Sequence, residues 1–442
     1  MVAEMPQTTQ QPSSQLIQGL RLSSVVPAKI TGDNRAHKLT GMDLALKLHY
    51  LRGVYFFRDV QVGIDGLKEP MFRCLELYYP VAGRIRRADG GESGDGGGRP
   101  FVKCNDSGVR IVEARSEKTI NEWLEMEDHA EIDDKVLIYD HVLGHDLGFT
   151  PLVFVQFTRF KCGGISVGLS WAHVLGDAFS ASSFISMWGH IMAGHVPPKS
   201  LHVPSPGKPA GSPGKGHGKA SSLRQVEPVG DRWITTSDRK MRTNSLHITG
   251  DQLDLLVTSH GKACSRFHLM AAVIWKSLSK IRGEGRLKRA TICTSNCHDE
   301  IHRCLLENRM VVGTVEADVS VFDVDVSELA TWMAEREAKE NRDIEEIINR
   351  DGRMSDYILY GANLTFVNLE EADIYGLELM GQKPIYANYT INGVGDEGVI
   401  LILPWRGTGK QKERDGRKVT MILPEDEVSK LKKELIMDWK FF

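Results

Sequence analysis

Apolar and polar positions along this chain follow two periods, and the period switches often. Residues 152–160 (LVFVQFTRF) and 165–169 (ISVGL) are short apolar runs around the turn Cys162-Gly163-Gly164, which predicts a hairpin of buried strands. A helical pattern over 178–192 follows. Upstream, 20–27 predicts a first strand. Residues 39–43 turn into a helix or extended segment that Asp43 could cap, and 67–79 predicts an amphipathic helix with Leu67, Met71, Leu75 and Tyr78 on one face. Pro80 ends that helix and a strand starts near Ile85. Residues 101–104 and 109–113 read as paired strands around the turn 105–108, and 120–126 as a short helix. The second half repeats the mixed style. Strands are expected at 244–248, 290–294 and 362–369, and helices at 252–259 (N-cap Asp251), 267–281 and 328–350 (N-cap Ser327). Residues 399–403 and 418–423 predict a last hairpin around the loop 406–417. A C-terminal helix opens at Pro424, and its stripe Val428, Leu431, Leu435, Ile436 and Trp439 packs on the sheet.

Two breaks organise these elements. Residues 89–98 (DGGESGDGGG) lack the G-K-[ST] ending of a phosphate loop and read as a flexible hairpin connection. Residues 197–222, rich in Pro, Gly, Ser and Lys, read as an exposed linker; 214–219 superficially resembles a nucleotide loop, but Ala220 stands where Ser or Thr is needed. The division is a disordered lead (1–18), a first domain (19–196), the linker (197–222) and a second domain (223–442), of mixed α/β class. The 442 residues suit two cores better than one. With 41% hydrophobic and 26% charged residues and a net charge of −3, the composition gives no electrostatic reason to expect nucleic acid. Seven scattered cysteines, an odd count, favour a reducing compartment over a disulfide framework. Residues 1–15 lack a secretory pattern, and no apolar run approaches the roughly 20 residues that span a bilayer. The expected location is cytoplasmic, with any membrane association peripheral or through a partner.

The candidate chemistry is the pattern H-x-x-x-D, which occurs at His129–Asp133, His173–Asp177 and His247–Asp251. His129 lies in an acidic run (EMEDHAEIDD) and reads as solvated surface, and His247 precedes a helix cap. His173 alone sits between a buried strand and a helix, where a neutral imidazole can act as a general base near pH 7. A second cluster holds Cys293, Cys297, His298, His302 and Cys304. Its HDEIH stretch is one residue away from the zinc pattern H-E-x-x-H, because Asp299 replaces the glutamate, and no strong helix is predicted there. The expected reading is a loop after a strand, with no metal and no bound cofactor.

With these motifs placed, the chain resembles the BAHD plant acyltransferases. The matching residues are 39–43, Tyr79-Pro80-Val81-Ala82-Gly83-Arg84, 104–113, 160–164, His173–Asp177 and Trp188. The resemblance implies two similar chloramphenicol-acetyltransferase-like domains, each a mixed sheet with helices, joined by a long crossover. It implies acyl-CoA as substrate, His173 as the base that deprotonates an acceptor hydroxyl or amine, and Asp177 in a structural role. The chain departs from the family pattern at three places. Ala178 follows the Asp where the family has Gly. The family's D-F-G-W-G becomes Asp373-Ile374-Tyr375-Gly376-Leu377-Glu378-Leu379-Met380-Gly381. The Arg that pairs with the motif Asp is missing from 295–299, which leaves Asp177 without an evident partner. These departures, with 22–27, 47–57, 170–181, 362–369 and 388–399, resemble the Eceriferum/Glossy group of plant cuticular-wax proteins. That resemblance implies a monomer that promotes elongation of very-long-chain acyl-CoA beside a very-long-chain 3-ketoacyl-CoA synthase at the endoplasmic reticulum, without needing its own acyl transfer. The alternative is a working acyl-CoA-dependent O- or N-acyltransferase.

Overall fold

The computed structural model describes residues 16–32, 34–87, 98–139, 148–201, 220–227, 237–260, 264–283, 285, 287–295, 306–351, 355–406 and 416–439. Most of the glycine-rich loop 89–98, of the linker 197–222, of the lead 1–18 and of the loop 406–417 therefore lies outside the described residues.

The described strands form two large mixed sheets and two small ones. The first sheet runs β1 (Gln18–Val25), β6 (Val109–Ser116), β7 (Val153–Phe160), β8 (Ile165–Ala172), β3 (Tyr50–Phe57) and β16 (Tyr386–Asn392). The second runs β10 (Met241–Ile248), β18 (Arg417–Pro424), β17 (Val399–Pro404), β15 (Leu364–Asn368), β11 (Arg289–Ser295), β12 (Met310–Glu316) and β13 (Ala338–Lys339). β2 (Ala36–Lys38), β5 (Pro100–Lys103) and β4 (Arg84–Arg87) form a small sheet, and β9 (Arg224–Val226) pairs with β14 (Asp356–Ile358). The expected hairpin of β7 and β8 forms, with Val153 opposite Trp171 and Arg159 opposite Ile165.

Every position of β3 and β8 is buried, which explains why their sequences do not alternate. One face of the sheet is covered by α2 (Ile64–Leu77) and α5 (Ala178–Met192), where the Trp188 Nε1–H donates to the Leu67 carbonyl at 2.9 Å. The other face meets α3 (Ile120–Leu124), α4 (His129–Ile132) and the turn that follows, through Trp123, Leu137, Val54 and Phe56. In the second sheet the pleat divides the side chains cleanly. Leu364, Phe366, Ile400 and Ile402 pack in a core with α6 (Gly250–His260), α7 (Arg266–Arg282), α8 (Val326–Glu335) and α10 (Glu425–Trp439). Their neighbours Val367, Val399, Leu401 and Leu403 join the core of the first sheet.

The two halves are interlocked. β16 comes from the second half yet completes the first sheet, antiparallel to β3. At the N-terminus of α1 (Gly41–Ala45), the amides of Gly41 and Met42 donate to the Glu345 carboxylate at 2.8 and 3.1 Å, and Glu345 belongs to α9 (Asn341–Arg350) of the second half.

Four local expectations are corrected. Residues 101–104 and 109–113 do not pair, because Asp106 and Gly108 take left-handed φ values of 51° and 85° and send β5 and β6 into different sheets. The helix expected over 328–350 is two helices. Asp325 caps the first, and residues 336–340 then add β13 to the edge of β12. There the buried Glu340 accepts the amides of Ser221 and Ser222 at 3.0 and 2.8 Å, which outweighs local helix propensity. Thr249, rather than Asp251, caps α6: its hydroxyl accepts the Gln252 amide at 3.3 Å while Gln252 accepts the Thr249 amide at 2.9 Å. Pro424 ends β18, and the last helix starts at Glu425.

Gly168 on β8 faces the Leu137 carbonyl, and a Cβ there would sit 1.9 Å from that oxygen. Gly168→Ala is expected to destabilise the fold by about 3 kcal/mol, since overpacking against backbone has little room to relax. Urea unfolding checks this, and an unchanged midpoint would show that the 133–138 segment moves freely.

Candidate active site at His173

β8 delivers the chain into a single 3-10 turn, His173–Leu175, followed by Gly176 and α5. The Trp171 indole N–H donates to the Gly176 carbonyl at 3.0 Å and fixes the turn. Gly176 has φ of 146°, and a Cβ there would also meet Ser180 Oγ and the Glu307 backbone, so glycine is required on both counts. The His173 amide donates to the His49 carbonyl at 3.1 Å, which ties the turn to the end of β3's lead-in.

The His173 ring is buried at 1% exposure, and both its nitrogens meet protein groups. Nδ1 lies 2.9 Å from Asn308 Oδ1, and Nε2 lies 3.1 Å from the Tyr360 hydroxyl. The Asn308 amide nitrogen donates to Asp43 Oδ1 and to the His173 carbonyl, both at 2.8 Å. Its oxygen is thus the acceptor facing His173, so Nδ1 carries the proton and Nε2 accepts from Tyr360. Asp43 does two jobs with one carboxylate. Oδ2 accepts the Thr40 amide at 2.7 Å in a reciprocal capping box, which leaves Oδ1 for Asn308. Thr40 is the helix cap, and Asp43 sits three residues into the box.

Asp177, left without a partner by the sequence, is fully engaged. Oδ1 accepts the amides of Phe179 and Ser180 at 3.1 and 3.2 Å as the N-cap of α5, and Oδ2 accepts the Arg309 amide at 3.0 Å. The missing arginine is replaced by backbone from residues 307–309, with the Arg309 charge nearby. The rewritten second motif packs on the same helix: a Cβ on Gly189 of α5 would strike the Glu378 backbone, and one on Gly376 would strike Ser186.

Burial sets the electrostatics. It pushes the His173 imidazole down to about 4, against the hydrogen bond that Nδ1 donates to Asn308, so the ring is neutral at pH 7. Burial and then the nearby His173 ring push His49 down to about 3. Burial raises Asp177 to about 6, opposed by the amides of Arg309, Ser180 and Phe179. Asp43 is raised by burial and lowered by Asn308, Thr40 and the His37 imidazole. The arrangement can hold an oriented neutral imidazole, but it gives the imidazolium little support.

The other two H-x-x-x-D pairs lie elsewhere. The expectation of a solvated surface at His129 is corrected: Asp133 is buried, accepting the Trp123 indole N–H at 2.7 Å and facing His129 Nδ1 at 3.3 Å. His247 stacks near Trp405, ring centroids 4.7 Å apart. Of the second cluster, Cys293 is described and buried, while Cys297, His298, His302 and Cys304 lie outside the described residues. Among the described residues no His/Cys/Asp/Glu group is placed to hold a metal. Sequence reading missed Asn308, Tyr360, His49 and Arg309. None belongs to a motif, and only the gap left beside Asp177 pointed to such partners.

Two outcomes follow. His49, His173 and His247 have folded pKa values of about 3, about 4 and about 3, all below the ordinary 6.5. The unfolded chain therefore takes up protons first, so this stability is full above pH 6.5 and is lost as pH falls toward 4. Asp177, at about 6 against an ordinary 3.8, works in the opposite sense between those values but is outnumbered. Urea midpoints should fall from about pH 7 to pH 5, and less steeply for His173→Gln. Asp177→Ala, which removes the cap of α5, should cost about 2 kcal/mol by urea unfolding; a loss below a tenth of that would deny Asp177 its structural role.

Comparison with known proteins places this geometry. The Transferase family profile matches residues 19–437. The chain is 42% identical to Protein ECERIFERUM 2 of Arabidopsis thaliana over 431 residues, covering 95% of this chain and 98% of that one. It is 36% identical to Protein ECERIFERUM 26 of the same plant, covering 95% of each. Its fold matches the crystal structure of vinorine synthase with a TM-score of 0.70 at 17% identity, covering 95% of this chain and 98% of that one. It also matches F. sporotrichioides TRI101 complexed with coenzyme A and T-2, with a TM-score of 0.66 at 13% identity over 92% and 98%. The chain belongs to the Transferase family of BAHD acyltransferases, alongside its Eceriferum members.

Proposed function

We propose that this protein acts in cuticular-wax synthesis by promoting elongation of very-long-chain acyl-CoA together with a very-long-chain 3-ketoacyl-CoA synthase, without acyl transfer of its own. One observation carries the reading: the His173 base is complete in sequence yet has both ring nitrogens engaged by Asn308 and Tyr360 in a buried setting. A general base works best with a pKa near the operating pH, and burial holds this one at about 4. The similarity to Eceriferum proteins over nearly the whole chain supports the wax context. Acyl-CoA is the ligand class that the family membership favours, and TRI101 is a fold relative whose structure holds coenzyme A. Among the described residues no helix is long and apolar enough to cross a membrane. Under this reading the chain works as a cytoplasmic monomer held at the endoplasmic reticulum by the synthase, which is the membrane-bound partner.

The competing reading, acyl transfer with His173 as base, draws on the same geometry, because Asn308 leaves Nε2 as the proton-accepting atom. The two readings differ in what His173→Ala does in a host supplied with the condensing enzyme. Chain extension is expected to persist, measured as the acyl-length profile by gas chromatography with chain abundance checked by immunoblot. Extension lost from a chain that still accumulates, and lost also from His173→Gln, would return the protein to acyl-transfer chemistry.

A further inference from the structure

The Tyr360 hydroxyl occupies the position that an acceptor hydroxyl would need. Nε2 is the one ring nitrogen of His173 with a free lone pair, and any acceptor to be deprotonated must place its O–H within hydrogen-bond reach of it. Tyr360 Oη holds that place at 3.1 Å. The phenol is fixed from several sides. The amides of Leu359 and Tyr360 both donate to His49 Nε2, at 3.1 and 3.3 Å, and the His49 ring meets the Tyr360 ring edge-on with centroids 4.9 Å apart. The Tyr360 carbonyl accepts the Gly395 amide at 2.9 Å, and the side chain is 2% exposed. His49 thus holds both ends of the contact, since its own carbonyl accepts the His173 amide at 3.1 Å.

We infer that Tyr360 is an internal surrogate for the acceptor, a built-in hydroxyl that keeps His173 from activating an external alcohol, amine or water. The phenol itself does not react, because burial holds its pKa well above 10 and the proton stays on oxygen. The inference rests on the reading that the wild-type chain performs no acyl transfer. Removing the hydroxyl while keeping the ring leaves Nε2 a buried acceptor without its donor, a place that favours an entering water. With a bound acyl thioester, that water gives its proton to Nε2 as its oxygen bonds to the thioester carbonyl carbon. The C–S bond breaks and the proton passes from Nε2 to the departing sulfur. The products are free fatty acid and coenzyme A thiol.

The test uses the full chain with palmitoyl-CoA as probe and release of free thiol as readout. Wild type is expected to release thiol no faster than the probe hydrolyses in buffer alone. Tyr360→Phe is expected to release thiol about 100-fold faster than the double variant Tyr360→Phe/His173→Ala, the ordinary contribution of a positioned base. A folded Tyr360→Phe chain that is no faster than wild type overturns the inference. So does a wild type that already turns over and is slowed by the substitution, which would make Tyr360 a proton donor in catalysis. Should Tyr360→Phe not fold, [15N]histidine spectra of wild type decide: Nε2 of His173 must be unprotonated and hydrogen-bonded at neutral pH, and a resonance at the position of an unbonded nitrogen overturns it. Failure here leaves the elongation reading standing if chain extension survives His173→Ala. Extension lost in His173→Ala removes that reading whatever the thiol assay gives.

Discussion

Asn308 makes three hydrogen bonds with one amide, and most of what can be said about the site depends on which way that amide points. Its nitrogen is committed to the Asp43 carboxylate and the His173 carbonyl, so its oxygen must face Nδ1. An aspartate at 308 would lack both donors and repel Asp43. A leucine of similar size would strand a carboxylate and an imidazole N–H in a buried place, each at roughly 1–3 kcal/mol. The flanking residues extend the same clamp. The Glu307 carbonyl accepts the Asp177 amide at 3.2 Å and the Ser180 hydroxyl at 3.0 Å, and the Arg309 amide reaches Asp177 Oδ2. Three consecutive residues of the second half therefore hold both motif residues of the first.

That clamp is one part of a polar seam between the sheets. Where β16 meets β18, Lys418 is fully buried, donating to the Ala387 carbonyl at 3.0 Å with its amine 3.4 Å from the Tyr386 ring centre. Burial pushes its pKa well below the ordinary 10.5, with the Asp133 carboxylate opposing. Nearby, the Thr420 hydroxyl donates to Asn388 Oδ1 at 2.7 Å, and Thr390 donates to Asp134 at 2.6 Å. Such groups gain little net energy from one another after desolvation. They do penalise any register in which β16 slips, because each would then be buried without a partner.

The strands and helices that hold a single period were legible from sequence: the β7–β8 hairpin, α5, α7 and the last hairpin fall where the pattern put them. The exceptions are informative. Residues 336–340 carry helix-forming side chains, yet edge pairing with β12 and the buried role of Glu340 override them. His129–Asp133 looked like exposed charge because the sequence cannot show that Tyr386, more than 250 residues away, covers it, with ring centroids 5.2 Å apart. At the site, His173 and Asp177 stood out because a strand and a helix flank them. Asn308 and Tyr360 did not, because their importance comes entirely from being brought across the chain.

The intact H-x-x-x-D motif needs no catalytic explanation in this chain. Asp177 caps α5 with one oxygen and anchors the 307–309 segment with the other. His173 receives Tyr360 on one nitrogen and meets Asn308 with the other, while its backbone bonds to His49 and Asn308. Replacing either residue leaves buried polar groups without partners, and one such group is enough to cost roughly 1–3 kcal/mol. Stability alone can therefore hold both residues in place, whether or not the chain carries out acyl transfer. Any loss of function on substituting His173 has to be separated from loss of fold, and the variant that bears most directly on chemistry is the one that keeps His173 and removes the hydroxyl facing it.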